Sequence, residues 1–308
     1  MNRAIGLAVA FCALGGAAVA QRPVSPPALP LNPVTTVGAL RTDGVLIPFA
    51  RYRGGSWDAP LSRADEGTPR ASLADQASPW FQKGSRRTSF WRFWSDERDT
   101  WKTLKASGLV RADSLCRKNW GLTTNLRDPV SAKDRSPQTR ALALDSRVPV
   151  EVWSEVAPAS EEGERIATLV LPEHETIEQQ KNPEIAAEQA EVRLELRRLY
   201  RSRQPVGSET LYYFEAEKSY EGGRRISFTQ GWIESEGPGA FRLLQITGGW
   251  TASDRKEILE EKPLGVLDMN GRIYVISEEQ GWESLRYRIR EWSDQGMRSA
   301  LDVEAGSC

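Results

Sequence analysis

Residues 37–57 read VGALRTDGVLIPFARYRGGSW, and the Asp43-Gly44 pair inside them decides the reading of the whole chain. Asp-Gly between apolar-rich runs is a strong hairpin signal, because a type I′ turn needs positive φ at both central residues. Residues 264–282, LGVLDMNGRIYVISEEQGW, repeat the pattern near the other end. Gly38, Leu40, Gly44 and Leu46 match Gly265, Leu267, Gly271 and Ile273 at one constant offset, with Asn270 in place of Asp43. Gly54 matches Gly281, and Trp57 meets Trp282 after a two-residue gap. The same hairpin is therefore expected near both ends of one domain, with both tryptophans packed on their sheets. The arginines Arg51 and Arg53 beside Gly54-Gly55 suggest an anion-cradling loop. The second hairpin carries Glu278 and Gln280 there, so the recurring features belong to architecture: Gly54-Gly55 bends the chain and Trp57 packs behind it.

Further strands are expected at 89–95, 101–105, 109–116 and 148–156, with turns at 96–99 and at Ser107-Gly108. From about Ser160 to Arg203 the composition changes to Glu, Gln, Ala and Arg. Asn182 reads as an N-cap with Pro183 at the first helical position, and Ile185, Val192, Leu196 and Leu199 then share a helical face. A preceding helix from about Glu161 is limited by Pro172. Strands return at 211–220, 224–234, 240–248 and 284–292, with the Asn270-Gly271 hairpin among them. Consecutive strands on short connections make antiparallel meanders. The expected fold is mainly β (α+β): two meander blocks interrupted by a helical insertion, with a closed sheet or propeller-like arrangement as the form in which its ends meet. Segment boundaries are 1–20, 21–34, 35–157, 158–204, 205–295 and 296–308, the last a tail, with 35–295 as one domain.

Residues 1–20 have the form of an export signal: Arg3, an apolar stretch, then Ala18-Val19-Ala20. Five prolines make 21–34 an extended leader. No later stretch has spanning length, so an exported chain without a membrane span is expected, periplasmic or extracellular. Lys and Arg total 41 against 42 acidic residues, a balance that argues against a nucleic-acid partner. Past the signal two cysteines remain, Cys116 and Cys308. They permit a disulfide closing 192 residues, or else a buried thiol and a free terminal one.

Catalytic signatures are weak, and no catalytic, metal-binding or cofactor-binding residue is assigned. His174 is the only histidine, without HExxH spacing or a G-x-S-x-G elbow, and its charged surroundings read as a solvent-facing helix. Glu215 and Glu217 share a strand face, which suits a glycosidase pair but reads better as a solvated face. Tryptophan stands out: there are 11, and Trp80, Trp91, Trp94 and Trp101 fall within 22 residues. Residues 83–119 also carry a net charge of +6, while 151–191 carry −9. A basic, Trp-rich face suits an anionic envelope glycan, with Trp91, Trp94, Trp101, Arg86, Arg87 and Arg92 as candidate ligand residues, although the indole cluster reads better as core packing and the charge runs as solvated or facing each other. The expected function is thus an exported, non-enzymatic protein that binds or scaffolds a glycan or protein partner. The alternatives are a carboxylate-based glycan hydrolase and a subunit of a larger envelope assembly.

Overall fold

A computed structural model describes residues 34–59, 89–96, 98–126, 137–184, 192–203, 209–237 and 239–308. The expected export signal, the expected leader to residue 33, Trp80, Arg86 and Arg87 lie outside them. The first seven strands are β1 (Thr35–Arg41), β2 (Val45–Arg53), β3 (Ser56–Asp58), β4 (Ser89–Ser95), β5 (Thr100–Ser114), β6 (Arg117–Thr124) and β7 (Thr139–Leu144). They run in the order β1-β7-β4-β5-β6-β2, and β1 pairs with β2, closing a six-stranded antiparallel barrel with β3 appended. Alternation along each strand sorts the side chains: Leu40, Leu46, Trp91, Phe93, Leu104 and Leu122 fill the barrel.

The chain then crosses through β8 (Val150–Glu151) and β9 (Trp153–Glu155) into α1 (Glu161–Lys181). One meander follows as β10 (Glu195–Ser202), β11 (Thr210–Tyr220), β12 (Arg225–Gly237) and β13 (Ala240–Ala252). A second follows as β14 (Glu260–Asp268), β15 (Ile273–Gln280), β16 (Ser284–Ser293) and β17 (Gly296–Ser307). They form two five-stranded antiparallel sheets, β13-β12-β11-β10-β9 and β17-β16-β15-β14-β8. The layers stack in sequence. Phe49, Tyr52 and Leu142 on the outside of the barrel meet Tyr274, Ile276 and Tyr287 of the β14–β17 sheet. That sheet's other face, with Val266 and Val275, meets Leu211, Tyr213 and Trp232. The far side of β11 and β12, with Tyr212, Phe214 and Ile233, takes Ile166 and Val170 of α1.

Both expected hairpins are present, in different sheets that pack face to face. Tyr52 and Tyr274 lie 5.7 Å apart, and Arg272 Nη1 donates to the carbonyl of Gly55 at 3.0 Å. Each hairpin has a register irregularity beside its matched glycine, Gly38 or Gly265. A Cβ on Gly38 would stand 2.9 Å from Leu46 Cδ1 and 3.0 Å from the Ile47 carbonyl, so any larger residue would have to push Leu46 and the β2 backbone aside. The turns differ. Asn270 and Gly271 both have positive φ, as a type I′ turn requires. In the first hairpin only Gly44 does, because the Asp43 carboxylate accepts from the Val45 amide and from Arg41 and keeps Asp43 out of the left-handed region.

Gly54 and Gly55 bend the chain from β2 into β3, Arg51 pairs with Asp58 across them at 2.7 Å, and Trp57 packs on Tyr52 and Tyr274. Trp282 does not follow its counterpart: it is 64% exposed, with the Lys256 ammonium 5.0 Å above its ring. Trp57 sits in a returning strand, whereas Trp282 follows Gly281 directly in an open turn.

Several boundaries depart from the sequence reading. Ser107-Gly108 is no turn but an irregularity within the continuous β5. Ser160 caps α1, its Oγ accepting from the Gly163 amide, and Pro172 lies inside the helix. Asn182 closes that helix as its C-cap. Of the helix expected beyond it, residues 185–191 lie outside the described residues, while Leu196 and Leu199 sit on β10, where pairing with β11 decides the conformation. The expected tail at 296–308 is instead largely β17, and Cys308 at its end is bonded to Cys116 with their Cα atoms 5.0 Å apart. No described helix is long and apolar enough to cross a membrane.

Candidate functional site

The strongest candidate grows out of the β4–β5 ladder. Because Trp91 and Phe93 point into the barrel, Arg92 and Trp94 point out of it. Trp94 lies directly opposite Trp101, and the two indoles cross edge-to-face with centroids 5.5 Å apart. The Arg92 guanidinium sits 4.4 Å from the Trp101 ring, and that of Arg203, just past the end of β10, sits 5.4 Å from Trp94. The result is a ladder of cation, indole, indole and cation. Arg203 also bonds Asp99 and lies 3.6 Å from Asp96, tying the β4–β5 turn to the sheet beyond.

This ladder borders a cleft of about 540 Å³, where the barrel meets the edges of both sheets. Trp94, Trp101, Trp153 and Tyr200 supply its aromatic walls; Arg140, Arg203 and Lys262 supply positive charge, and Asp96 and Glu155 negative. That size suits a small ligand or one segment of a chain. Among the described residues, Nε1 of the lining residues Trp94 and Trp153 and Nε of the neighbouring Arg92 are buried without a hydrogen-bond partner.

Of the residues singled out in the sequence, Trp94, Trp101 and Arg92 come together here. Trp91 does not: it is 1% exposed, fills the barrel and donates from Nε1 to Ser89 Oγ at 2.9 Å. Its odd place in the strand alternation decides that. Arg140, Trp153, Tyr200, Arg203 and Lys262 were missed, because each reaches the cleft from a different strand or connection.

The other sequence candidates are buried, against expectation. His174 is fully enclosed between α1 and β12, with Nδ1 2.9 Å from Thr229 Oγ1 and Nε2 2.9 Å from Ser227 Oγ. Glu178, one turn on, accepts from Ser227 and from Tyr220 at 2.6 Å, and pairs with Lys218 at 3.1 Å. A serine, a histidine and a carboxylate thus meet, but the carboxylate lies on the Nε2 side with the serine instead of orienting the ring from Nδ1. All three are buried, so this is an internal lock and not a nucleophile.

Glu215 and Glu217 are only 8% and 5% exposed and face the β14–β17 sheet, not solvent. Glu217 pairs with Arg197 at 3.1 Å and Arg255 at 2.6 Å; Glu215 lies 3.5 Å from Arg198. Burial lifts the Glu215 carboxyl to about 7, against the pull of Arg198. A folded-state value above the ordinary one means that its stabilisation is complete below pH 4.5 and is lost as pH rises through 7. Glu215→Gln is therefore expected to be more stable than the wild type at pH 8 by up to about 3 kcal/mol, and to lose that advantage by pH 5. Urea denaturation at the two pH values measures this; a gap independent of pH would contradict it.

The chain matches no protein-family model, no curated protein and no solved structure.

Proposed function

We propose that this is an exported, non-enzymatic binding protein of the periplasm or cell exterior, and that its ligand is an anionic glycan held in the cleft beside β4 and β5. The observation that carries the reading is the crossed Trp94–Trp101 pair flanked by Arg92 and Arg203, at a cleft also lined by Arg140 and Lys262. The apolar face of a sugar ring packs on an indole, while its carboxylate or sulfate takes the N–H donors of the surrounding cations. The form of residues 1–20 and the Cys116–Cys308 bridge support an oxidising compartment outside the cytoplasm.

Calorimetric titration with an acidic oligosaccharide such as an oligouronate tests this at low and moderate salt. Binding is expected to weaken as salt shortens the screening length to about 8 Å. Trp94→Ala together with Trp101→Ala is expected to cost about 10-fold or more in affinity, given about 1 kcal/mol for each aromatic contact. No binding at either salt concentration removes the glycan reading. Lost binding accompanied by a collapse of the melting temperature would assign the two indoles to packing instead.

A further inference from the structure

The long strand edges of the two open sheets are defended unequally. At one side of each sheet the edge is short: β8 has two residues and β9 three. β17 is long but carries Arg298, Asp302 and Glu304, and it is tied to the barrel by Arg117–Glu304 at 2.9 Å and by Asn119 donating to the Ala305 carbonyl. β13 differs. From Gln245 to Ala252 it keeps unbroken register with β12, and its sequence there, QITGGWTA, has no charge and no proline. Among the described residues no strand pairs with its outer side. Ile246 and Trp250 on the same run are only half-buried. Natural sheets blunt such edges with charge, proline or bulges, because a row of free N–H and C=O groups is a template for another strand.

We infer that β13 pairs antiparallel with the β13 of a second copy about a two-fold axis, joining two five-stranded sheets into one of ten strands. Two features select a copy of this chain as the occupant. The axis sets members of one uncharged run against each other, so no like charges meet, and the half-buried apolar side chains beside the edge gain cover. The pairing is also isologous and self-limiting, since the opposite edge, β9, offers only three residues for further growth.

Sedimentation velocity on the purified protein across the micromolar range is expected to show a mass twice that of the single chain. Thr247 is exposed within the run, and an axis passing beside it sets it against its own copy, so Thr247→Lys places like charges across the axis. That variant is expected to sediment as a monomer and to melt where the wild type melts once diluted into its monomeric range, and mixing it with Thr247→Glu is expected to restore the doubled mass. Hydrogen exchange on the wild type gives an answer without substitution: amide protection over 245–252 should rise as the dimer fills. A wild type that stays monomeric, a Thr247→Lys variant that still doubles, or protection that ignores concentration each overturns the inference.

Discussion

Replacing Cys116 and Cys308 together by serine is expected to lower the unfolding free energy by up to about 5 kcal/mol, from loss of a cross-link that closes 192 residues. The bridge runs from the turn between β5 and β6 to the end of β17, so its loop contains both open sheets, α1 and two barrel strands, β6 and β7. Nearly all of the effect falls on the unfolded state. The folded chain keeps β17 in place through its pairing with β16, the Arg117–Glu304 ion pair and the Cys308 amide donating to the Glu283 carbonyl at 3.0 Å. For a chain of this size the loss corresponds to a fall of up to about 10 °C in melting temperature. The denaturant slope should steepen as well, since the released chain exposes more surface on unfolding. A thiol titration of the unfolded, unreduced wild type checks the premise by finding neither cysteine free. A loss below about 1 kcal/mol would mean that the loop is already restricted in the unfolded ensemble.

What the residues revealed, and what they hid, follows from the range over which each signal acts. The Asp/Asn-Gly turns, the Gly54-Gly55 bend and the 89–95 strand were legible because a turn or an alternating strand is a local matter. The long strand β10 was not, since Leu196 and Leu199 fit a helical face as well as a strand; pairing with a strand reached only after residue 209 settled it. A closed sheet was among the expected forms, but which strands close it was hidden for the same reason, since closure rests on β1 meeting both β2 and β7. At the cleft, the Arg92, Trp94 and Trp101 group lies on one hairpin and was found. Trp153, Tyr200, Arg203 and Lys262 arrive from three further places in the chain, and only the topology assembles them. The buried polar groups were misread most. Charged neighbours in sequence suggested solvent at His174 and at Glu215, but a helix turns only one face outward and a strand only alternate positions, and partners from another layer satisfy the inward ones.

The lock beneath α1 supplies the second large effect. Glu178→Gln is expected to destabilise the fold by about 3–5 kcal/mol at neutral pH, the cost of breaking a buried ion pair from one side. The substitution leaves Lys218, itself only 3% exposed, with Glu175 at 3.4 Å as its remaining carboxylate, and that side chain is largely in solvent. Burial alone would push the Glu178 carboxyl up. Hydrogen bonds from His174, Ser227, Tyr220 and Lys218 outweigh it and hold the group at about 2. A depressed folded-state value gives stability that is present above the ordinary 4.5 and is lost as pH falls toward 2. The wild type should therefore lose up to about 3 kcal/mol between pH 5 and pH 2 through this one group, whereas Glu178→Gln, having nothing to titrate there, should not. Subtracting the two stability curves isolates the group, and a difference that stays flat over that interval would show that the pair is not formed. Lys218→Met added to Glu178→Gln removes the stranded charge as well, and apolar replacement of a whole buried pair is often neutral. Recovery in the double variant would locate the cost in the unpaired ammonium, and a purely additive loss would locate it in the hydrogen bonds to Tyr220 and Ser227. Because α1 lies on the face of its sheet turned away from the barrel, neither variant should alter binding in the cleft, which separates the lock from the site.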